Sequence, residues 1–193
     1  APTSIKEAEP SHLARYQFAL NFISSSDKVL DIPCGSGYGV ELLTSKNAKV
    51  IGIDICEGAI EHAKEFFKKP LNSFYAGDMQ NLIKIFPNDH IFDVIVSFEG
   101  IEHIQSPTIF LDEMKRLLKP KGLFLISTPR KPHGSPYHIN EYSLEEFRDL
   151  LSDKFIVKQI YGQIYTDIFD LSKKKVNPYD YKRFNFIAYC LPK

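Results

Sequence analysis

Residues 29–39, Val29-Leu30-Asp31-Ile32-Pro33-Cys34-Gly35-Ser36-Gly37-Tyr38-Gly39, constrain the fold of this chain more than any other stretch. A short apolar run ends at an acidic residue, a glycine-rich turn follows, and a helical pattern then runs from about Tyr38 to Lys46. Glycine has no Cβ and tolerates φ > 0, so a ligand can approach the backbone of such a turn. The helix behind it points its free N–H groups and the positive end of its dipole into the same space. A strand–turn–helix of this form suits an open α/β sheet that binds its ligand beyond the carboxyl ends of the strands.

The rest of the chain repeats the alternation. Strands are predicted at 28–32, 49–53, 72–76, 91–98 and 123–127, with helices at 38–46, 57–68, 79–85 and 107–118 between them. The near-continuous apolar run 91–98 is what a strand buried on both faces requires. Strands alternating with helices predict a parallel sheet with right-handed crossovers. Lys119-Pro120-Lys121-Gly122 is expected to stop the helix before strand 123–127, and a later helix, 144–151, opens on Ser143 with Glu146 placed for a capping box. Near the start, a helix over 11–24 with Ser11 as its N-cap is expected to lie across the first strand, so that residues 1–26 form a helical cover. Two late β-like runs, 155–163 and 183–190, are expected to pair as an antiparallel hairpin at the sheet edge. The polar, aromatic and basic stretch 164–182 between them reads as an insertion on the substrate side.

At 193 residues the length suits one domain, 1–193, with a sizeable core. Lys+Arg and Asp+Glu each number 24, so no net field draws in polyanions, which counts against a general nucleic-acid binder. Three scattered cysteines, Cys34, Cys56 and Cys190, make no disulfide framework and fit a reducing compartment. No apolar run reaches the roughly 20 residues that cross a bilayer, and residues 1–7 show no basic-then-apolar leader; a cytoplasmic location is expected.

Several signals recur where one nucleoside cofactor would need them. Asp54 ends the second strand, where a carboxylate can accept both hydroxyls of a ribose. Gly77-Asp78-Met79 ends the third, and Ser97-Phe98-Glu99 the fourth. The turn places glycines at its first, third and fifth positions, which departs from G-x-G-x-x-G. Asp31 just before it would repel a pyrophosphate but suits the ammonium of a methionine moiety. With these residues, Gly52-Ile53-Asp54-Ile55, Phe92-Asp93-Val94-Ile95 and Leu117-Leu118-Lys119-Pro120-Lys121-Gly122, the chain resembles the class I S-adenosylmethionine-dependent methyltransferases over nearly its whole length. The resemblance implies a Rossmann-like, seven-stranded, mostly parallel sheet with an antiparallel last strand and helices on both faces. It further implies that Asp31, Pro33, Cys34, Gly35, Ser36 and Gly37 surround the methionine part of S-adenosyl-L-methionine, Asp54 and Ile55 the ribose, and Asp78 and Met79 the adenine. Phe98 and Glu99 then lie near the sulfonium; Pro33 stands where that family more often has a small residue, and Arg15 and Tyr16 of the first helix are expected to cover the cofactor or else to be plain surface and core groups.

Past strand four, Glu99-Gly100-Ile101-Glu102-His103 puts three polar side chains on one face if it begins a helical turn. Two carboxylates and an imidazole so placed suit a metal ion. The Glu-x-x-Glu-His pattern, with His138 in the loop after strand five, resembles the small-RNA 3′-end 2′-O-methyltransferases and, in its first part, the ubiquinone-pathway O-methyltransferases. That resemblance implies a Mg²⁺ or Mn²⁺ site of Glu99, Glu102, His103 and His138, with His103 and Glu102 as catalytic groups. His103 acting as a base, or only hydrogen-bonding substrate, without a metal is the competing reading, and His133 is a substitute ligand. His12, His62 and His90 are expected to be solvated surface groups. Lys173, Lys174, Lys175, Tyr179, Tyr181, Lys182 and Arg183 could contact phosphate and stack a base, or simply be solvated. The expected activity is methylation of a hydroxyl on a sugar or other small polyol. An RNA 3′ end, a nitrogen acceptor and a non-catalytic, cofactor-binding regulatory subunit are the alternatives.

Overall fold

A computed structural model describes residues 1–174, 176–181 and 183–193. β1 (Lys28–Asp31), β2 (Lys49–Asp54), β3 (Asn72–Ala76), β4 (Phe92–Phe98), β5 (Leu118–Pro129), β6 (Phe155–Ile164), β7 (Asp167–Asp170) and β8 (Asn185–Pro192) form one sheet in the order β3-β2-β1-β4-β5-β8-β6-β7. The pairs from β3 to β5 are parallel, and the pairs β5–β8, β8–β6 and β6–β7 are antiparallel. The fold class expected from the sequence is therefore the one observed. The late hairpin also forms, but β8 lies inside the sheet between β5 and β6, and the insertion supplies an eighth strand, β7, at the edge.

Side chains alternate across the strands with the period of two that a sheet imposes. Val94, Val96, Leu123 and Leu125 face one core with Val29; Leu30, Ile95, Phe124 and Ile126 face the other. α1 (Pro10–Ala19), α2 (Tyr38–Thr44) and α3 (Glu57–Phe66) cover the first face through residues such as Ala19, Val40 and Ala63. α4 (Pro107–Leu117) and α5 (Leu144–Ser152) cover the second through Phe110, Met114 and Phe147. The Ser143–Glu146 capping box at the start of α5 is present in both directions.

Three local expectations are corrected. The first helix is capped by Glu9, not Ser11: the Glu9 carboxylate accepts from the His12 N–H, and Pro10 takes the first helical position, where its missing donor costs nothing. Residues 79–85 form turns instead of a helix, because the Leu82 amide donates to Glu113 Oε2 of α4 at 3.1 Å. Lys119-Pro120-Lys121-Gly122 does not separate α4 from its strand. β5 begins at Leu118, opposite Phe92, and resumes the ladder at Leu123 opposite Val94, so these four residues bulge out of it. Among the described residues, no helix is long and apolar enough to cross a membrane.

Candidate functional site

Three adjoining cavities follow the carboxyl ends of the parallel strands. The first, of about 440 Å³, runs past Pro33, Asp54, Ile55, Asp78, Met79 and His103. The second, about 190 Å³, lies under α1 between Tyr16, Cys34, Gly35, Asp54, Phe98 and Glu99. The third, about 730 Å³, opens between α1, the loops after β4 and β5, and the ends of β6 and β8. Asp54 and Pro33 line both of the first two, Glu99 and His12 both of the last two, and His103 the first and third.

The glycine turn divides its labour. A Cβ on Gly35, at φ +52°, would meet nothing within 4 Å, so this backbone is bare toward the cavity. Gly37, at φ +96°, is needed for packing: a Cβ there would stand 2.6 Å from that of Ala63 on α3. Gly39 gives its space to the Tyr16 ring, 2.2 Å from where its Cβ would be. Ser36 and Gly37 line none of the three cavities, so the expected contact with a cofactor falls to Pro33, Cys34 and Gly35.

Asp54 holds the turn in place: Oδ2 accepts from Gly35 N and Oδ1 from Cys56 N, both at 2.9 Å. Asp31 is fully buried; Oδ1 accepts from the Tyr16 hydroxyl at 3.2 Å, and Oδ2 has no partner among the described residues. Burial pushes the Asp31 carboxyl well above the usual range, against the Tyr16 hydrogen bond and with help from Asp54. The Tyr16 ring stands edge-on to Phe98 and Tyr38, with centroids 5.3 and 5.7 Å away. Asp78 Oδ1 caps Gln80 N, which fixes the loop carrying Met79.

Of the four expected metal-site residues, three come together. Glu102, His103 and His138 each offer a ligand atom within 4.8 Å of the others. Glu99 does not join them. The helical turn is a single 3-10 turn over Ile101–His103, and Glu99 precedes it in the left-handed region at φ +55°, so the spacing that would align all three does not apply. Its carboxylate instead accepts from Ser127 Oγ at 3.0 Å and lies 4.0 Å from the Arg15 guanidinium. Glu102 is buried, its Oε1 has no hydrogen-bond partner among the described residues, and burial together with Glu99 pushes its pKa up to about 9. His103 Nδ1–H donates to the Tyr137 carbonyl at 2.9 Å, which leaves its other nitrogen as an acceptor. Burial, then His133 and His103, holds His138 below the usual imidazole range. His133 stacks on His138 and forms a second grouping with it and Glu141.

The family model described as "Methyltransferase domain" matches residues 23–181. The chain belongs to this methyltransferase-domain family. A protein of Mycolicibacterium smegmatis named "probable S-adenosylmethionine-dependent methyltransferase" is 34% identical over 131 residues, 64% of this chain and 49% of that protein. The ubiquinone biosynthesis O-methyltransferase of Rickettsia conorii is 26% identical over 172 residues, 79% of this chain and 58% of that one. The chain thus spans about half the length of such curated relatives. In the solved complex between the Haloferax volcanii Trm112 methyltransferase activator and a methyltransferase, one chain superimposes with a TM-score of 0.77. It is 20% identical and covers 98% of this chain and 94% of that one, a likeness of fold.

Other residues on or beside these cavities carry no motif signal. His12, expected to be solvated, lines two cavities, and its pKa is lowered by partial desolvation and by Arg15. Arg15 is 1% exposed and donates to Gln163 Oε1 at 2.8 Å. His62 and His90, also expected to be solvated, bond the carbonyls of Pro2 and Leu118. Lys173 and Lys174 pair with Asp170 and Asp167 of the β7 hairpin instead of facing the site, while Arg183 and Tyr181 line the third cavity. The expectations for Lys175 and Lys182 lie outside the described residues.

Proposed function

We propose that this methyltransferase domain binds S-adenosylmethionine across the first two cavities and methylates a hydroxyl of a small sugar or polyol in the third, with a divalent cation held by Glu102, His103 and His138. The unpaired Asp31 Oδ2 beside the bare Gly35 backbone carries the cofactor half of the reading, because a buried acceptor with no donor suits an incoming ammonium. Asp54, shared by the two cavities, fits a ribose between them, and Asp78 with Met79 offers a polar and an apolar wall to a purine.

The residues also fit a cation. Among the described residues, Glu102 Oε1 and His138 Nδ1 are buried without a hydrogen bond, and the His103–Tyr137 hydrogen bond leaves the other His103 nitrogen free. A bound divalent cation would lower the pKa of a coordinated hydroxyl. The acceptor hydroxyl has one proton to lose: where the free ring nitrogen of His103 holds the cation, that proton leaves to water, and without the cation the same nitrogen can take it. Glu99, neutralised by Arg15 and oriented by Ser127, shapes the passage between cofactor and acceptor. Catalysis is then chiefly positioning, since donor and acceptor need only be held in line.

Two titrations test this. S-adenosylhomocysteine should bind, and Asp54→Ala should weaken it; no binding would sink the reading. Mn²⁺ followed by electron paramagnetic resonance should bind, with Glu102→Gln weakening it by roughly tenfold or more. Equal Mn²⁺ affinity in the variant removes the cation and leaves His103 as a base alone.

A further inference from the structure

We propose that the wall of the third cavity built from α1 and the β6–β8 end is an oxyanion anchor, in which Arg183, with His12 and Tyr181 beside it, holds a carboxylate or phosphate on the small-molecule acceptor. This rests on the reading of that cavity as the acceptor site. It adds what the hydroxyl-facing wall does not supply: a charge requirement on the molecule that carries the hydroxyl.

The charges on the cavity support it. Two acidic residues line it, Glu99 and Glu102. Glu99 is answered by Arg15 and Ser127. Glu102 is buried, and its Oε2 accepts from the Thr128 hydroxyl at 3.4 Å. Among the described residues, no carboxylate pairs with Arg183. The positive charge of Arg183 therefore stands uncompensated on a concave surface, where a planar guanidinium matches an oxyanion with two parallel donors. Lys173 and Lys174 are paired with Asp170 and Asp167 and do not line the cavity, whereas Arg183 does.

The surroundings are built from inside. Arg130, only 7% exposed, stacks over the Tyr179 ring at 4.6 Å and donates to the Tyr181 carbonyl at 3.3 Å. This pins the turn that brings Tyr181 to the cavity, close in sequence to Arg183. A second aromatic, Tyr165, stands on the same cavity in the left-handed region at φ +53°. A volume of about 730 Å³ is ample for a drug-sized molecule that spans from Arg183 to the Glu102–His103–His138 group.

The test uses the whole chain with S-adenosylhomocysteine present, so that binding is read without turnover. Phenyl phosphate and benzoate are titrated by calorimetry against phenol as the neutral control, into wild type, Arg183→Gln and the exposed-surface control Lys158→Gln. Expected is saturable binding of at least one anion, weakened roughly tenfold or more in Arg183→Gln and unchanged in Lys158→Gln. The phosphate and carboxylate arms show which oxyanion is preferred. No saturable anion binding up to about 10 mM, equal binding of phenol, or full binding by Arg183→Gln overturns the proposal. S-adenosylhomocysteine affinity, measured in the same proteins, separates this failure from failure of the methyltransferase reading: it should be the same in all three.

Discussion

Gly39 belongs by sequence to the ligand-facing turn, yet the structure assigns its missing side chain to packing. A Cβ at this position would sit 2.2 Å from Tyr16 Cζ and 2.3 Å from Cε1, where non-bonded carbons need about 3.5–4.0 Å. The ring cannot yield easily. It is wedged between Tyr38 and Phe98, and among the described residues its hydroxyl is the one hydrogen-bond donor to the buried Asp31 carboxyl. Gly39→Ala should therefore cost about 1–3 kcal/mol in overpacking, with about 1 kcal/mol more if the Asp31 bond breaks, offset by up to about 1 kcal/mol of helix propensity. The expected net loss is about 2 kcal/mol, a fall in Tm of roughly 4–8 °C for a chain of this size. In a Tyr16→Ala background the clash is gone and only the propensity gain remains, so the same substitution should stabilise by up to about 1 kcal/mol. Urea denaturation of wild type, both single variants and the double variant measures the coupling directly. Gly39→Ala at or above wild-type stability, or the same effect in both backgrounds, would refute the packing assignment.

Two further outcomes follow from the same geometry. Burial holds the folded-state pKa of Asp31 well above its unfolded value of about 3.9, so its protonation favours the folded chain, fully below about pH 4 and less as pH rises through the folded pKa. Wild-type stability should thus fall relative to Asp31→Asn as pH is raised from about 4 to 8, and parallel melting curves across that range would contradict the burial argument. Ser143→Ala removes the side-chain half of the α5 capping box, leaving the backbone N–H of residue 143 to donate to Glu146, and should cost about 1 kcal/mol in a thermal melt while leaving S-adenosylhomocysteine affinity unchanged, because α5 packs on the core away from α1–α3; a loss of affinity would tie the helix to the site.

The strand–turn–helix at the proposed cofactor end was legible because its parts are contiguous. β1, the turn and α2 occupy a single stretch, and Asp54 bonds Gly35 only 19 positions away, so strand period, glycine spacing and an acidic strand end all register locally. The acceptor side was not, for reasons that are physical in each case. Glu99 matches a metal-ligand spacing only if its backbone is helical, and its φ of +55° turns the carboxylate toward Arg15 instead. Residues 79–85 carry a helix-like apolar pattern, but a side chain on α4 captures the Leu82 amide before a turn of helix can use it. His12 carries no periodic or motif signal; it becomes a site residue because α1 is drawn over the cleft by Arg15, whose partner Gln163 lies 148 positions away. Such a contact leaves no trace in any window of sequence. The matched family segment, 23–181, likewise omits α1 and Arg183, which are the two ends of the proposed anion wall. On the proposed reading, methyl-donor binding rests on local structure inside the matched segment, whereas the choice of acceptor rests on long-range contacts that reach outside it. Substitutions at Arg15, His12 and Arg183 should accordingly change which molecules are methylated sooner than they change whether the donor binds.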